Sequence, residues 1–183
     1  MSDAVSALNG QTHDGFARVA EAGLRGMVTI RADLDSTALA AALGALGLSV
    51  PAKRQIVSAG DTSVGWMGPD ELLLLCDYAQ APHLCADLSA ALAGEHALVV
   101  TVSDARAIFT VQGARADQVL QKLCPVDFAT LPVGELRRTR AAQIAAALWR
   151  SGPDELSLVC FRSVAGYMIG LLEVSARKGG EIF

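Results

Sequence analysis

The sequence predicts an α+β fold, internally duplicated, in which two β-α-β-β-α units share a sheet with flanking helices. Three observations carry that expectation. Gly68-Pro69-Asp70-Glu71 returns as Gly152-Pro153-Asp154-Glu155, 84 positions on in a chain of 183 residues. Each copy leads into an apolar, strand-like run, and a tryptophan (Trp66, Trp149) stands within three residues before each. The signals for strands and helices also follow the same order in both halves.

In the first half, Met27 to Ala32 alternates apolar and polar residues as a strand does. Ser36 suits the N-cap of a helix with Leu39, Leu43 and Leu46 on one face, closed by Gly47. Gln55 to Ala59 is a weaker strand. A hairpin follows, Thr62 to Met67 and Glu71 to Cys76, around a turn whose proline presets φ. Pro82 opens a second helix striped with Leu84, Leu88 and Leu92, and Ala97 to Val102 closes the half.

The second half repeats that order. Arg106 to Val111 is a strand, Ala114 to Leu123 a helix with Ala116, Leu120 and Leu123 inward, and Cys124-Pro125 its stop. Strands are expected over Arg137 to Trp149 and Glu155 to Phe161. A final helix runs from Ser163 to Ala176, with Val164, Tyr167, Met168, Leu171 and Ser175 on one face. Matching Ile30 to Ile108 gives an offset of 78, against 84 at the turn, a difference that loop insertions explain. The expected organisation is a flexible arm over 1–20, one duplicated domain over 21–176 with halves 26–102 and 105–176, and a tail over 177–183.

Hydrophobic residues make up 52% of the chain and charged residues 19%, on the apolar side of ordinary composition. Surplus apolar surface points to protein partners. A net charge of −4 argues against a nucleic-acid surface. Cys76, Cys85, Cys124 and Cys160 show no CxxC spacing and read as reduced, buried thiols. No apolar run reaches the length of a spanning helix, and Met1 to His13 lacks a signal-peptide layout, so the cytoplasm is expected.

No motif carries catalysis. His13, His83 and His96 have no metal-ligand spacing, and the glycines form no dinucleotide or phosphate loop. Asp70-Glu71 and Asp154-Glu155 have the chemistry of a general base, but both copies sit in the same turn-forming context. Arg137, Arg138 and Arg140 are the basic cluster; on a strand, Arg138 and Arg140 share one face and Arg137 takes the other. Two readings are open: a contact for an acidic partner surface or ligand carboxylate, or an edge strand guarded by charge.

Several segments together resemble a known family. They are VSDARAIFTVQGARADQVLQKLCPVDF (Val102 to Phe128), LPVGELRRTRAAQIAAALWRSGPDELSLVCFRS (Leu131 to Ser163), VGWMGPDELLLL (Val64 to Leu75) and IRADL (Ile30 to Leu34). Over residues 24–176 the chain resembles the gamma subunit of heterotetrameric sarcosine oxidase and, more distantly, the folate-binding domain of glycine-cleavage T-protein. The resemblance implies a non-catalytic subunit with a role in assembly or stability of an oxidase that converts sarcosine to glycine. It implies no cofactor in this chain; FAD, FMN and NAD would lie on the larger subunits and zinc on a further, small subunit, with tetrahydrofolate as one-carbon acceptor. The alternative is a stand-alone folate-binding, aminomethyltransferase-related protein, in which Asp154 takes the place of the T-protein aspartate in its acidic pair.

Overall fold

The structure, a computed structural model, describes residues 3–183. The chain divides into two compact units, one of residues Leu24–Ser103, the other of Asp104–Phe183 together with the chain up to Gly23. Each unit has its own antiparallel sheet, so the expected shared sheet is replaced by two.

The Leu24–Ser103 unit contains β3 (Gly26–Arg31), α1 (Thr37–Gly44), β4 (Ile56–Ala59), β5 (Thr62–Gly68), β6 (Glu71–Cys76), α2 (Ala81–Ala91) and β7 (Leu98–Thr101). Its sheet order is β4-β5-β6-β3-β7. The Ser36 hydroxyl accepts the Leu39 N–H at 3.1 Å and starts α1. Leu39 and Leu43 are fully buried against Val28, Ile30, Leu72 and Leu74 of the sheet. Burying each leucine contributes roughly 1.5–3 kcal/mol. Every residue of β6 is buried, which explains its unbroken apolar run: strands covered on both faces lose the apolar–polar alternation.

The other unit contains β1 (Thr12–Asp14), β2 (Arg18–Glu21), β8 (Arg106–Gln112), α3 (Ala116–Gln121), β9 (Leu136–Ala141), β10 (Ile144–Gly152), β11 (Glu155–Phe161) and α4 (Ala165–Ala176). Its sheet order is β1-β2-β8-β11-β10-β9. Phe109, Val111, Leu148, Leu156 and Leu158 line its core with Val119, Leu120, Met168 and Leu172 of the helices.

The duplication extends to the register. Glu71 pairs with Arg31 and Glu155 with Gln112; Leu72 pairs with Ile30 and Leu156 with Val111. The hairpin strands thus correspond at 84 residues and the first strands at 81, which corrects the match of Ile30 to Ile108. Both hairpins also carry a bulge one residue before the turn glycine. The tryptophans, in contrast, are not equivalent. Trp66 faces Leu72 and Arg150 faces Leu156, so the counterpart of Trp66 is Arg150.

One strand of each repeat is exchanged. β7 comes directly before β8 in the chain yet pairs with β3; β2 comes directly before β3 yet pairs with β8. The reading of residues 1–20 as a flexible arm is therefore corrected for the described residues, Met1 and Ser2 lying outside them. Buried Glu21 organises this segment, accepting Ser6 Oγ at 2.8 Å, Leu8 N at 3.2 Å and Gly10 N at 2.7 Å. Asn9 and Gly10 both take positive φ and make the turn their sequence signals.

Two smaller differences concern α4 and the C-terminal residues. The buried face of α4 is Ala165, Met168, Ile169, Leu172, Ser175 and Ala176, while Tyr167 is exposed. Residues 177–183 are held by side chains. Lys122 Nζ donates to the carbonyls of Ser175 at 2.6 Å and Gly180 at 2.5 Å, and Gln118 Oε1 accepts Ile182 N at 2.8 Å.

Candidate partner-binding surface

The arginine cluster lies on β9, the last strand of its sheet, which among the described residues pairs with β10. Arg138 and Arg140 are exposed and alternate with half-buried Arg137 and Thr139, the period-two pattern of a strand with one wet face. Arg137 Nε lies 2.5 Å from Glu135 Oε1, a close ion pair. Across the ladder Arg138 faces Ala147 and Arg140 faces Ala145. Positive charge along an edge strand also discourages its pairing with other strands.

Asp154 lies exposed at the tip of the second hairpin, beyond the turn end of β10. Arg138 and Arg140 are in register with Ala147 and Ala145, toward the opposite end of that strand, so the ladder sets the aspartate apart from the arginine pair. Its main chain has a defined role: the Asp154 carbonyl accepts Gly113 N at 2.9 Å, as the Asp70 carbonyl accepts Ala32 N at 3.1 Å. The acidic pairs are treated differently by the two repeats. Arg31 bonds Asp70 at 3.1 Å and Glu71 at 3.0 Å, whereas in the second repeat Gln112 Nε2 donates to Glu155 Oε2 at 2.7 Å. Both arrangements tie the turn to the adjacent first strand.

An open cleft of about 630 Å³ lies beside the first turn, lined by Arg31, Asp33, Pro69, Asp70, His96 and Leu98 among others. Its arginine is neutralised by two carboxylates, so the cleft offers no concentrated positive charge to an anion. A smaller groove of about 190 Å³ runs between α1 and α2, lined by Ala42, Leu46, Leu84 and Leu88. Among the described residues no group of three or more His, Cys, Asp or Glu side chains could hold a metal ion. No helix among them is long and apolar enough to cross a membrane.

The sequence reading passed over two buried charged groups. Arg150, 8% exposed, donates from Nε to the Leu131 carbonyl at 2.7 Å, from Nη1 to the Pro153 carbonyl at 3.1 Å, and from Nη2 to Asp117. Glu21 is the other. Each is saturated by its own unit, so both are structural. The burial of Arg150 could have been inferred by aligning the repeats, which sets it opposite the core-facing Trp66.

The family model described as "Sarcosine oxidase, gamma subunit family" matches residues 31–177. The chain belongs to the sarcosine oxidase gamma subunit family. "Sarcosine oxidase subunit gamma" of Arthrobacter sp. is 36% identical over 129 residues, 68% of this chain and 63% of that protein. The match thus spans somewhat under two thirds of this relative's length. The structure is similar to a chain of "Heterotetrameric Sarcosine Oxidase from Corynebacterium sp. U-96 in complex with pyrrole 2-carboxylate". That similarity has a TM-score of 0.80 and 29% identity, and covers 87% of this chain and 83% of that one. The aminomethyltransferase T of the glycine cleavage system from Bartonella henselae superimposes with a TM-score of 0.70, covering 94% of this chain and 48% of that one. At 15% identity this likeness shows a shared fold.

For this gamma-family chain the T-protein-like fold comes with an acidic pair in the expected hairpin, but Asp154 stands exposed on a turn. Of the four thiols expected to be buried, Cys76, Cys124 and Cys160 are, whereas Cys85 is half-buried; burial pushes Cys124 up to about 12 and Cys160 up to about 11, and it raises Cys76 as well.

Proposed function

We propose that this chain is a non-catalytic subunit of a heterotetrameric sarcosine oxidase, with a role in the assembly or stability of the complex. The observation that carries the reading is membership of the gamma subunit family over residues 31–177. Its ionic groups support the same reading: Arg31, Arg150, Glu21 and Glu155 hold hairpins and loops in place. The partners are the larger subunits, which carry the flavins and NAD, and a further subunit carries zinc. The complex oxidises sarcosine to glycine in the cytoplasm and passes the methyl-derived carbon to tetrahydrofolate.

Within that complex, the exposed face of β9 with Arg138 and Arg140 contacts an acidic partner surface, with Arg137 buttressing the strand from its other face. Charge at such a rim acts chiefly on association rate and register.

Co-expression with the three other subunits tests the reading. The chain co-purifies with them in defined stoichiometry, and their complex is less stable without it. Failure to co-purify overturns the proposal. Titration with tetrahydrofolate addresses the folate-binding alternative: micromolar binding to the isolated chain, abolished by Asp154→Ala, would establish it.

A further inference from the structure

β2 and β7 are counterparts, because each precedes the first strand of a repeat and lies beside the other repeat's first strand. The correspondence holds bond by bond. Ala22 N donates to the Ile108 carbonyl at 2.9 Å, and Val102 N donates to the Met27 carbonyl at 2.8 Å. Arg18 to Glu21 therefore match Leu98 to Thr101.

The counterparts differ on their outer side. In an antiparallel ladder, alternate residues turn their main chain to opposite neighbours. With Ala22 turned to β8, Glu21 and Val19 turn to the other side, where β1 covers them: Glu21 N donates to the Gln11 carbonyl at 2.8 Å, and Val19 pairs with His13. With Val102 turned to β3, Thr101 and Val99 turn outward in the same way, but β7 is the last strand of its sheet. Among the described residues, the position that β1 fills beside β2 has no counterpart beside β7.

The side chains of this edge fit a covered strand. Leu98 is 55% exposed and Val100 39%, and β7 carries no charged residue, no proline and no bulge. The edge β9 bears three arginines, and on the other edge of the β7 sheet, β4, Ser58 is exposed and its neighbours are half-buried. An exposed, uncharged, apolar edge is a template for an added strand.

Building on the subunit reading above, we infer that the outer edge of β7 receives an extended segment of another subunit of the oxidase as an antiparallel strand. The segment occupies the place that β1 takes beside β2. It bonds the main chain of Val99 and Thr101 and lays apolar side chains against Leu98 and Val100, the mode known as β-augmentation. Partner affinity comes from main-chain bonds and specificity from the side chains on that face.

Hydrogen exchange of the purified heterotetramer and of the isolated chain tests this. The Val99 and Thr101 amides exchange at least about tenfold more slowly in the complex. Thr101→Pro removes an outward-facing donor and leaves the β3 ladder intact. Leu98→Lys adds the missing charge guard. Each variant weakens association with the other subunits by about tenfold, the equivalent of one lost main-chain bond. Tyr167→Lys, which alters an exposed aromatic on α4, leaves association unchanged. An unchanged melting temperature of the isolated variants shows that they fold; should Thr101→Pro not fold, Leu98→Lys and exchange in the wild type still decide. If the wild type co-purifies but both amides exchange as fast in the complex as alone, the β7 inference is overturned and the subunit reading stands. Protection that rises with concentration in the isolated chain assigns the edge to a second copy and overturns it likewise. If the wild type does not co-purify, both readings fail.

Discussion

Arg150 reaches both carboxylate oxygens of Asp117, at 2.8 and 2.9 Å, from a strand position that the other repeat fills with Trp66. One repeat thus packs an aromatic ring where the other packs a guanidinium that joins β10 to α3. Carbonyls of Leu131, Pro153 and Phe128 accept further bonds from its Nε, Nη1 and Nη2, so each nitrogen of the buried charge is hydrogen-bonded.

Truncating either partner should therefore have unequal effects. Arg150→Met leaves a carboxylate and three carbonyls without their donor and is expected to destabilise the protein by about 3–5 kcal/mol. Asp117→Ala keeps the carbonyl partners and should cost about 1.5–3 kcal/mol. Arg150→Lys does not restore stability, because an ammonium lacks the planar fork. Urea unfolding at unchanged slope checks all three.

A second prediction concerns Glu21. Three donors from residues 6–10 converge on its carboxylate, and the residue is 5% exposed. Glu21→Gln sets an amide NH2 against main-chain N–H groups in the same space. The expected loss is about 1.5–3 kcal/mol, with faster hydrogen exchange at Leu8 and Gly10 while β8 stays protected.

The duplicated hairpin was legible because turn chemistry is local: Gly-Pro-Asp sets φ and the reversal within a few residues. Pairings between distant segments were not legible. β1 and β2 are three and four residues long, too short for a periodic signal, and their place in the sheet depends on β8 almost a hundred residues away. The face of α4 was misjudged because its sequence, AGYMIGLLEVSA, is apolar nearly all round and leaves the period little to discriminate. Of the site residues, the strand setting of Arg137, Arg138 and Arg140 followed from alternation. The buried role of Arg150 required the register, since an arginine beside a turn looks solvated until its counterpart is known to face a core.

Two glycines predict opposite outcomes. A Cβ at Gly15 would stand 1.8 Å from the Ala176 carbonyl oxygen, which also accepts Phe16 N at 2.8 Å. Main-chain atoms have little freedom to yield, so Gly15→Ala is expected to cost about 1–3 kcal/mol and to loosen β1 and β2. A Cβ at Gly166 in α4 meets nothing within 4 Å. Gly166→Ala should stabilise by about 0.5–1 kcal/mol, because alanine restricts the unfolded chain and favours the helix. Thermal melts of the two variants should move in opposite directions.

The buried thiols give the protein an alkaline limit. Burial raises Cys124 to about 12 and Cys160 to about 11, from an ordinary value of 9.0 in each case. A thiol raised in the folded state holds its proton there while the unfolded chain gives its proton up. Stability is therefore complete below pH 9, falls as pH rises, and the contribution of each thiol is exhausted above its folded value, near 11 for Cys160 and 12 for Cys124. Across pH 9–11 each group contributes a decline approaching about 1.4 kcal/mol per pH unit as an upper bound. Cys124→Ala removes its share of that slope while adding a cavity penalty that does not vary with pH. Urea midpoints between pH 8 and 11 measure both effects, and a slope unaltered by the substitution would refute the assignment. At pH 8 in the folded protein, iodoacetamide should leave both thiols unmodified, since the thiolate is the nucleophile and neither side chain is accessible.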